Sequence, residues 1–321
     1  MRDLPSYSEL PRRAGFPASW DLWGDEFGCL NLLTPDRVVA AAGLVQRGAV
    51  FALNWSMGLP DPPLFGRESF RHEVTGADGS TSHDDVLHGW NTQSSSQWDG
   101  FRHIRNHAAA DDEAGTGHFA GIDDADHGIH HWAQRGIVGR GVLADIGRWR
   151  ERIGRPIRHA ESDQIEPEEI ADCLADQGTV LHVGDVLLVR TGWVGWYESQ
   201  STDVRAALAA PNGLTAPGFR SGEHLAEVLW NLHIAAIACD NPAVEAWPPD
   251  QSRRTDRRHL HDIFTHTLLL PMLGLPLGEM FDLEALSVDC ADDGRFEFLF
   301  TSAPLNLPHG VASPPNALAI K

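Results

Sequence analysis

A short polar segment holds four side chains that can bind a metal ion or transfer a proton. It runs from Asn91 to His103 (NTQSSSQWDGFRH), and its candidates are Gln93, Gln97, Asp99 and His103. Aspartate is a good ligand for hard cations, a glutamine oxygen is a weaker and uncharged one, and histidine is the usual acid or base near neutral pH. A turn or bulged strand would direct the first three side chains towards one point. Composition alone nevertheless favours an ordinary hydrogen-bonded turn.

Two later pairs of polar residues could join such a site. His266 and Glu279 flank the apolar run of HTLLLPMLGLPLGEMFDL, so a helix end and a strand end could bring them together. Their spacing alone favours a surface histidine and a helix-capping glutamate. Asp240 and Asn241 directly follow the apolar stretch IAAIAC, and polar residues at the end of a buried strand often line the crevice of an α/β sheet. A plain turn explains this second pair equally well.

The bulk composition is that of a soluble globular enzyme. The 321 residues carry a formal net charge of −20, and 42% of them are hydrophobic. So acidic a chain repels nucleic acids and anionic membranes, and we therefore expect a small-molecule substrate and neither of those partners. No stretch approaches the roughly 20 apolar residues of a membrane-spanning helix, and the N-terminus lacks the apolar core of a signal peptide. We expect a cytoplasmic protein whose four cysteines are reduced and buried.

The predicted helices and strands indicate one α/β or α+β domain with a mixed sheet. Three segments have the pattern of helices: 34–45, 166–175 and 221–232. Five segments have the character of strands: 49–55, 137–145, 185–191, 234–239 and 295–301. Residues 1–30 are predicted to form an extended N-terminal arm, and residues 58–82 and 111–131 to form loops. The chain lacks the GxSxG, GxxxxGK[ST], HExxH and GxGxxG motifs, which argues against the enzyme classes that carry them.

The segment NTQSSSQWDGFRH resembles the signature region of the putative cyclase superfamily, whose members include bacterial kynurenine formamidase, isatin hydrolase and trans-dienelactone hydrolase. Other segments agree in the same order along most of the chain: DEFGCLNLLTPDRV, GIVGRGVLADIGRW, GDVLLVRTGW, IAAIACDNPAVE, HTLLLPMLGLPLGEMFDLEAL and TSAPLNLPHGVASPPNALAIK. Such ordered agreement is more specific than any single motif. The resemblance implies a swivelling β/β/α fold with a mixed, barrel-like sheet, in which residues 31–321 form a single catalytic domain. It also implies a homodimer or homotetramer.

The superfamily's metal motif is His-x-Gly-Thr-His-x-Asp-x-Pro-x-His, and this chain departs from it at two positions. Gln93 and Gln97 stand where the two metal-binding histidines belong, whereas Asp99 matches the aspartate and His103 the catalytic histidine. The later metal-binding pair corresponds to His266 and Glu279, with a separation one residue longer than expected.

The two glutamines change which ion the resemblance implies. The superfamily binds Zn²⁺ or Mn²⁺, but two amides in place of imidazoles remove the strongest neutral donors for Zn²⁺. A hard ion such as Mn²⁺ or Mg²⁺ could still lie between Asp99, Glu279 and the glutamine oxygens. A metal-free site, in which the glutamines hold a substrate carbonyl, stays open.

The resemblance implies a hydrolase that opens a cyclic or N-acyl amide or a lactone. His103 would serve as the acid or base, assisted by Asp99, and a divalent metal would polarise the carbonyl group or a water. The candidates for substrate binding are Trp98, Phe101, Asp240 and Asn241. Two alternatives remain: a metal-independent cyclase, dehydratase or isomerase that uses Asp99 and His103, and a non-catalytic protein that binds a small molecule in the same pocket.

Overall fold

A nine-stranded mixed sheet forms the centre of the protein, which we describe from a computed structural model that covers residues 4–76, 79–112, 116–122 and 126–321. From edge to edge its strands are β14 (Ala312–Ser313), β6 (Gln97–Asp99), β12 (Leu277–Glu279), β11 (Ala236–Cys239), β9 (Val186–Val189), β7 (Ile137–Ala144), β13 (Glu297–Ser302), β15 (Ala317–Ile320) and β3 (Val50–Ala52). Three two-stranded sheets pair β1 (Arg12–Arg13) with β2 (Phe16–Pro17), β4 (Arg71–Thr75) with β5 (Asp84–His88), and β8 (Gln164–Ile165) with β10 (Gly218–Phe219). The large sheet curls into a half-barrel, which confirms the predicted mixed α+β class and barrel-like sheet.

The middle of the sheet is parallel, and its two flanks are antiparallel. Strands β7, β9, β11 and β12 run in the same direction, whereas β6 and β13 run against their neighbours. Every residue of β9 and β11 is buried, as expected for apolar strands covered on both faces. Strand β13 alternates between buried and half-buried residues, as the sequence pattern predicts. The structure has a strand within each of the five predicted segments.

Ten α-helices lie in the described ranges of the chain. They are α1 (Pro35–Ala42), α2 (His107–Asp112), α3 (His130–Arg135), α4 (Ile146–Arg152), α5 (Glu169–Asp176), α6 (Trp193–Glu198), α7 (Thr202–Ala209), α8 (Glu223–Asn231), α9 (His266–Leu269) and α10 (Glu284–Asp293). The three predicted helices correspond to α1, α5 and α8, each a few residues shorter than expected. Helix α1 begins at Pro35 and ends before Gly43, both of which suit those positions. None of the described helices is long and apolar enough to cross a membrane.

The two predicted loops contain regular structure, which corrects those predictions. Strand β4 lies within 58–82 and pairs with β5, and every residue of β5 is exposed. Neither strand has the apolar face by which a buried strand is recognised in a sequence. In the second segment, α2 ends and α3 begins within residues 111–131, whereas residues 113–115 and 123–125 lie outside the described ranges.

The N-terminal arm packs against its own chain. The backbone amide of Tyr7 donates to Asn231 Oδ1 at 2.8 Å, and Trp230 Nε1 donates to the carbonyl oxygen of Pro5 at 2.9 Å. Further along the arm, Trp20 Nε1 donates to the carbonyl oxygen of Pro271 at 2.7 Å. The division into an arm of residues 1–30 and a domain of residues 31–321 stays a prediction, as does the oligomeric state. All four cysteines are buried and free of disulfides.

Candidate active site

Neighbouring strands β6 and β12 position three polar side chains of the site. In their antiparallel register Gln97 lies opposite Glu279, and Asp99 lies two residues further along the same face of β6. Because side chains alternate along a strand, Trp98 between them points to the other face. The amide nitrogen of Gln97 donates to Glu279 Oε2 at 2.6 Å and to Asp99 Oδ1 at 3.3 Å. Gln97 therefore joins two buried carboxylates.

Gln93 joins the same cluster from the loop that precedes β6 and fixes the orientation of His103. Its amide nitrogen donates to Asp99 Oδ1 at 2.8 Å and lies 3.2 Å from His103 Nδ1. Since Gln93 presents N–H groups to both atoms, His103 Nδ1 is an acceptor, and the neutral ring carries its proton on Nε2. His103 Nε2 lies 3.7 Å from Asp99 Oδ2. Burial lowers the pKa of His103, although the charge of Asp99 acts in the opposite direction.

Helix α9 supplies His266, which is held between two glutamates. His266 Nε2 lies 3.1 Å from Glu279 Oε1, and its Nδ1 lies 2.6 Å from Glu245 Oε2. The ring stacks on Phe264, with ring centroids 4.3 Å apart. Burial disfavours the charged ring, but Glu245 and Glu279 outweigh that effect and raise the pKa of His266 well above its usual range. The two glutamates therefore favour the charged form of the His266 ring when no metal ion binds it.

Three of these side chains meet the geometric requirement for a metal site. Ligand atoms of Asp99, His266 and Glu279 lie within 4.8 Å of one another, and all three residues are buried. In the described part of the chain, Asp99 Oδ2 and Gln97 Oε1 are buried without a hydrogen-bond partner. Buried oxygens in native proteins normally have a partner, and a cation would provide one here. The carboxylate of Glu245 behind His266 is the support that a metal-binding imidazole usually has.

The donor set has more oxygen than nitrogen. Asp99, Glu279 and Gln97 Oε1 supply oxygen atoms, and His266 supplies the one ring nitrogen of the set. These residues therefore fit a divalent cation, and their chemistry suits Mn²⁺ or Mg²⁺ better than a site rich in imidazoles or thiolates would. Burial, followed by the charge of Asp99, raises the pKa of Glu279 to about 7. A bound cation would remove this repulsion between the two carboxylates.

The structure brings six of the predicted site residues together and places the other four elsewhere. The six are Gln93, Gln97, Asp99, His103, His266 and Glu279. Trp98 is fully buried on the opposite face, where its Nε1 donates to Ser302 Oγ at 2.9 Å. Phe101 is buried against Phe119 and Trp132. Both aromatic residues belong to the core, so their observed contacts are structural.

Asp240 and Asn241 are also fully buried and hydrogen-bonded within the protein. Asp240 accepts hydrogen bonds from the backbone amides of Thr191 and Gly192, at 2.8 and 2.7 Å, and from the Thr191 hydroxyl at 2.7 Å. Asn241 Nδ2 donates to the carbonyl oxygen of Pro217 at 2.7 Å. These bonds secure the segments that follow β9 and β11. The substrate-binding role assigned to all four residues stays a prediction.

The sequence analysis missed two charged residues of the site. Glu245 lies six residues after the end of β11, and nothing in its local pattern distinguishes it from a surface glutamate. Arg67 lies in a loop rich in proline, where its NH1 donates to the carbonyl oxygen of Gln93. The charge of Arg67 acts on both Glu279 and Asp99. The sequence signal available for Glu245 was its position twenty-one residues before His266. That spacing alone does not identify a functional pair.

Comparisons with known proteins identify the family and the fold of this chain. A family model described as putative cyclase matches residues 50–246. A crystal structure described as a novel cyclase is 30% identical, with a TM-score of 0.79, over 95% of this chain and 99% of that one. Isatin hydrolase A from Labrenzia aggregata, bound to benzyl benzoate, is 17% identical, with a TM-score of 0.54, over 88% of this chain and 97% of that one.

A second isatin hydrolase, bound to the product analogue thioisatinate, is 15% identical, with a TM-score of 0.56, over 89% of this chain and 98% of that one. At such low sequence identity, the two isatin hydrolases show only that the fold is shared. A search of curated proteins finds no match. The family model covers more than half of the chain, and the more similar structure extends over nearly all of it. This chain belongs to the putative cyclase family.

Proposed function

We propose that this protein is a hydrolase that opens a cyclic or N-acyl amide or a lactone with the help of a divalent cation. The observation that carries the proposal is the convergence of Asp99, His266 and Glu279 on one point, with Asp99 Oδ2 buried and unpartnered in the described structure. His103 lies beside that point and is 25% exposed, so a substrate can reach it. Hydrolysis of a carbonyl compound needs an activated water, a donor for the oxyanion and a proton acceptor.

The cation would be held by Asp99, His266 and Glu279, together with Gln97 Oε1. When bound, it supplies Lewis-acid polarisation of a carbonyl group or of a water.

The chain's own residues provide the donor and the acceptor. Because Gln93 keeps the His103 proton on Nε2, this atom donates a hydrogen bond to the carbonyl oxygen as negative charge develops there. Glu279 would hold the cation through one carboxylate oxygen, and its other oxygen would accept the proton released by the attacking water and pass it to the leaving group. Glu245 keeps the His266 ring oriented throughout.

A hydrolysis screen tests this proposal directly. The purified chain would be incubated with cyclic imides, N-formyl arylamines and lactones, with added Mn²⁺ or with chelator, and carboxylate formation would be followed by pH-stat titration. We expect at least one class to be hydrolysed, faster with Mn²⁺ than with chelator. Hydrolysis of none of these classes in the presence of Mn²⁺, Mg²⁺ or Zn²⁺ would overturn the proposal.

A metal-independent acid–base reaction is the second candidate, and the hydrogen bonds of Gln97 favour it. Its amide already bridges Asp99 and Glu279, and the His266 cation already compensates part of their charge. In that case cyclisation, dehydration or isomerisation would proceed by proton transfer between His103 and the carboxylates. Turnover that persists at full rate in chelator would favour this candidate.

Metal affinity is expected to fall as the pH decreases below about 7. Glu279 must be deprotonated to bind a cation, and burial with the charge of Asp99 raises its pKa to about 7. A proton on His266 competes in the same way, because its pKa is raised well above the usual range. Because both protons must leave when the cation binds, we expect the Kd for Mn²⁺, measured by isothermal titration calorimetry, to rise by more than about tenfold for each pH unit below 7. A Kd that stays constant across that range would show that Mn²⁺ binds elsewhere.

A further inference from the structure

Arg67 is a half-buried cation that forms no ion pair within the described ranges of the chain. Its NH1 donates to the carbonyl oxygen of Gln93, and in the described ranges no carboxylate oxygen lies within ion-pair distance of its guanidinium. Burial lowers the pKa of Arg67, and the more distant charges of Glu279 and Asp99 only partly oppose this. A chain with 45 acidic and 25 basic residues could easily have paired this arginine.

Desolvation of the guanidinium costs folding free energy, and the charges of Glu279 and Asp99 offset only part of that cost. Burial of the Arg67 cation at this place is therefore explained best by an anion that binds there in the working enzyme. The backbone carbonyl that it contacts belongs to Gln93, whose side chain bonds Asp99 and His103. The anion would consequently lie at the partly exposed side of the candidate active site.

Two partly exposed aromatic rings lie next to this cation. The guanidinium carbon of Arg67 is 5.2 Å from the centroid of the Phe65 ring. Phe65 in turn meets Trp247 edge to face, with ring centroids 5.3 Å apart. Phe65 is 39% exposed, so its ring is accessible to a ligand. These rings are placed to contact an apolar group that Arg67 holds by its charge.

We propose that Arg67 binds the carboxylate of an aromatic substrate or product at this side of the active site, with Phe65 and Trp247 in contact with its ring. A guanidinium with free N–H groups recognises a planar carboxylate through paired hydrogen bonds. The proposal rests on the proposed function, because it takes the cluster of Asp99, His266 and Glu279 to be the active site. It adds a residue that determines specificity, because Arg67 would select aromatic molecules that carry a carboxylate.

Binding of benzoate compared with the neutral isostere benzamide tests the proposal without any turnover. Calorimetric titration of the full chain, as purified and with Mn²⁺ present, would compare the wild type with the Arg67→Gln variant. We expect the wild type to prefer benzoate roughly tenfold, and Arg67→Gln to lose that preference while it still binds benzamide. Arg67→Lys, which keeps the charge but not the planar pair of donors, is expected to show an intermediate preference.

Arg135 offers a matched control for Arg67. It likewise donates to a backbone carbonyl, that of Leu33 at 3.1 Å, and lies over a phenylalanine ring, that of Phe27 at 5.4 Å, but away from the site. Arg135→Gln is expected to keep the wild-type preference for benzoate. Thermal melting and circular dichroism of each variant would show that it is folded.

The outcomes separate this proposal from the proposed function. A benzoate preference that survives in folded Arg67→Gln, or is absent from the wild type, would overturn the role of Arg67 whether or not the protein is a hydrolase. A protein that binds benzoate through Arg67 yet hydrolyses none of the screened compounds would keep this role and overturn the hydrolase.

Discussion

The His103→Ala variant is expected to lose turnover roughly 10²–10³-fold while it keeps the fold of the wild type. The ring of His103 is oriented by the N–H group of Gln93, and its Nε2 faces the point where Asp99, His266 and Glu279 converge. Alanine removes the donor that we assign to the oxyanion, yet only a partly exposed side chain is lost. The kcat for the best substrate of the hydrolysis screen, measured at saturating Mn²⁺, is the quantity to compare.

His224→Ala is a suitable control for this variant. His224 is an exposed histidine that pairs with Glu168 on the outside of the protein, remote from the cluster. We expect its kcat to match that of the wild type. A folded His103→Ala variant with unchanged kcat would remove His103 from the mechanism, although it would leave the metal site intact.

The Gln97→Glu variant is expected to destabilise the metal-free protein by about 3–5 kcal/mol, which corresponds to a decrease in Tm of roughly 4–8 °C for a chain of this length. The wild-type amide donates to both Asp99 and Glu279 in a fully buried position. The nearly isosteric carboxylate removes both hydrogen bonds and places a third negative charge between two others. Thermal melting in chelator would measure this loss.

Divalent ions should reverse much of the loss. A third carboxylate strengthens the same donor set for Mn²⁺ or Mg²⁺, so the variant should gain more thermal stability from these ions than the wild type does. Gln200→Glu serves as the control, because Gln200 Nε2 donates to the carbonyl oxygen of Trp196 at 2.8 Å, outside the cluster. An equal Tm for Gln97→Glu and the wild type in chelator would contradict the contacts described for this amide.

The residues and strands of the candidate site were easier to predict from the sequence than the residues that surround them. Asp99 and His103 could be placed close together because they share one short segment, although their proposed roles came from the family resemblance. The apolar runs of β9 and β11 indicate a covered parallel sheet by themselves. The role of Glu279 required the resemblance, since only the pairing of β6 with β12 brings it beside Gln97. The register in which β6 pairs with β12 cannot be read from local sequence patterns, because the two strands lie far apart in the chain.

The residues around the site were harder to predict for a related reason. A tryptophan such as Trp98, one residue away from two site residues, points away from them because side chains alternate in a strand. Arg67 and Glu245 reach the cluster from segments distant in the sequence, and their local patterns are those of ordinary surface residues. Burial of these charges becomes visible only in the folded chain.

The central claim is that Asp99, His266 and Glu279 hold a divalent cation, and elemental mass spectrometry tests it most directly. Protein purified without chelator or affinity metal should contain about one equivalent of a divalent metal, with Mn favoured over Zn, and the folded Asp99→Ala variant should contain almost none. The account would be contradicted by a wild-type protein that carries no metal and gains no thermal stability from added Mn²⁺, Zn²⁺ or Mg²⁺.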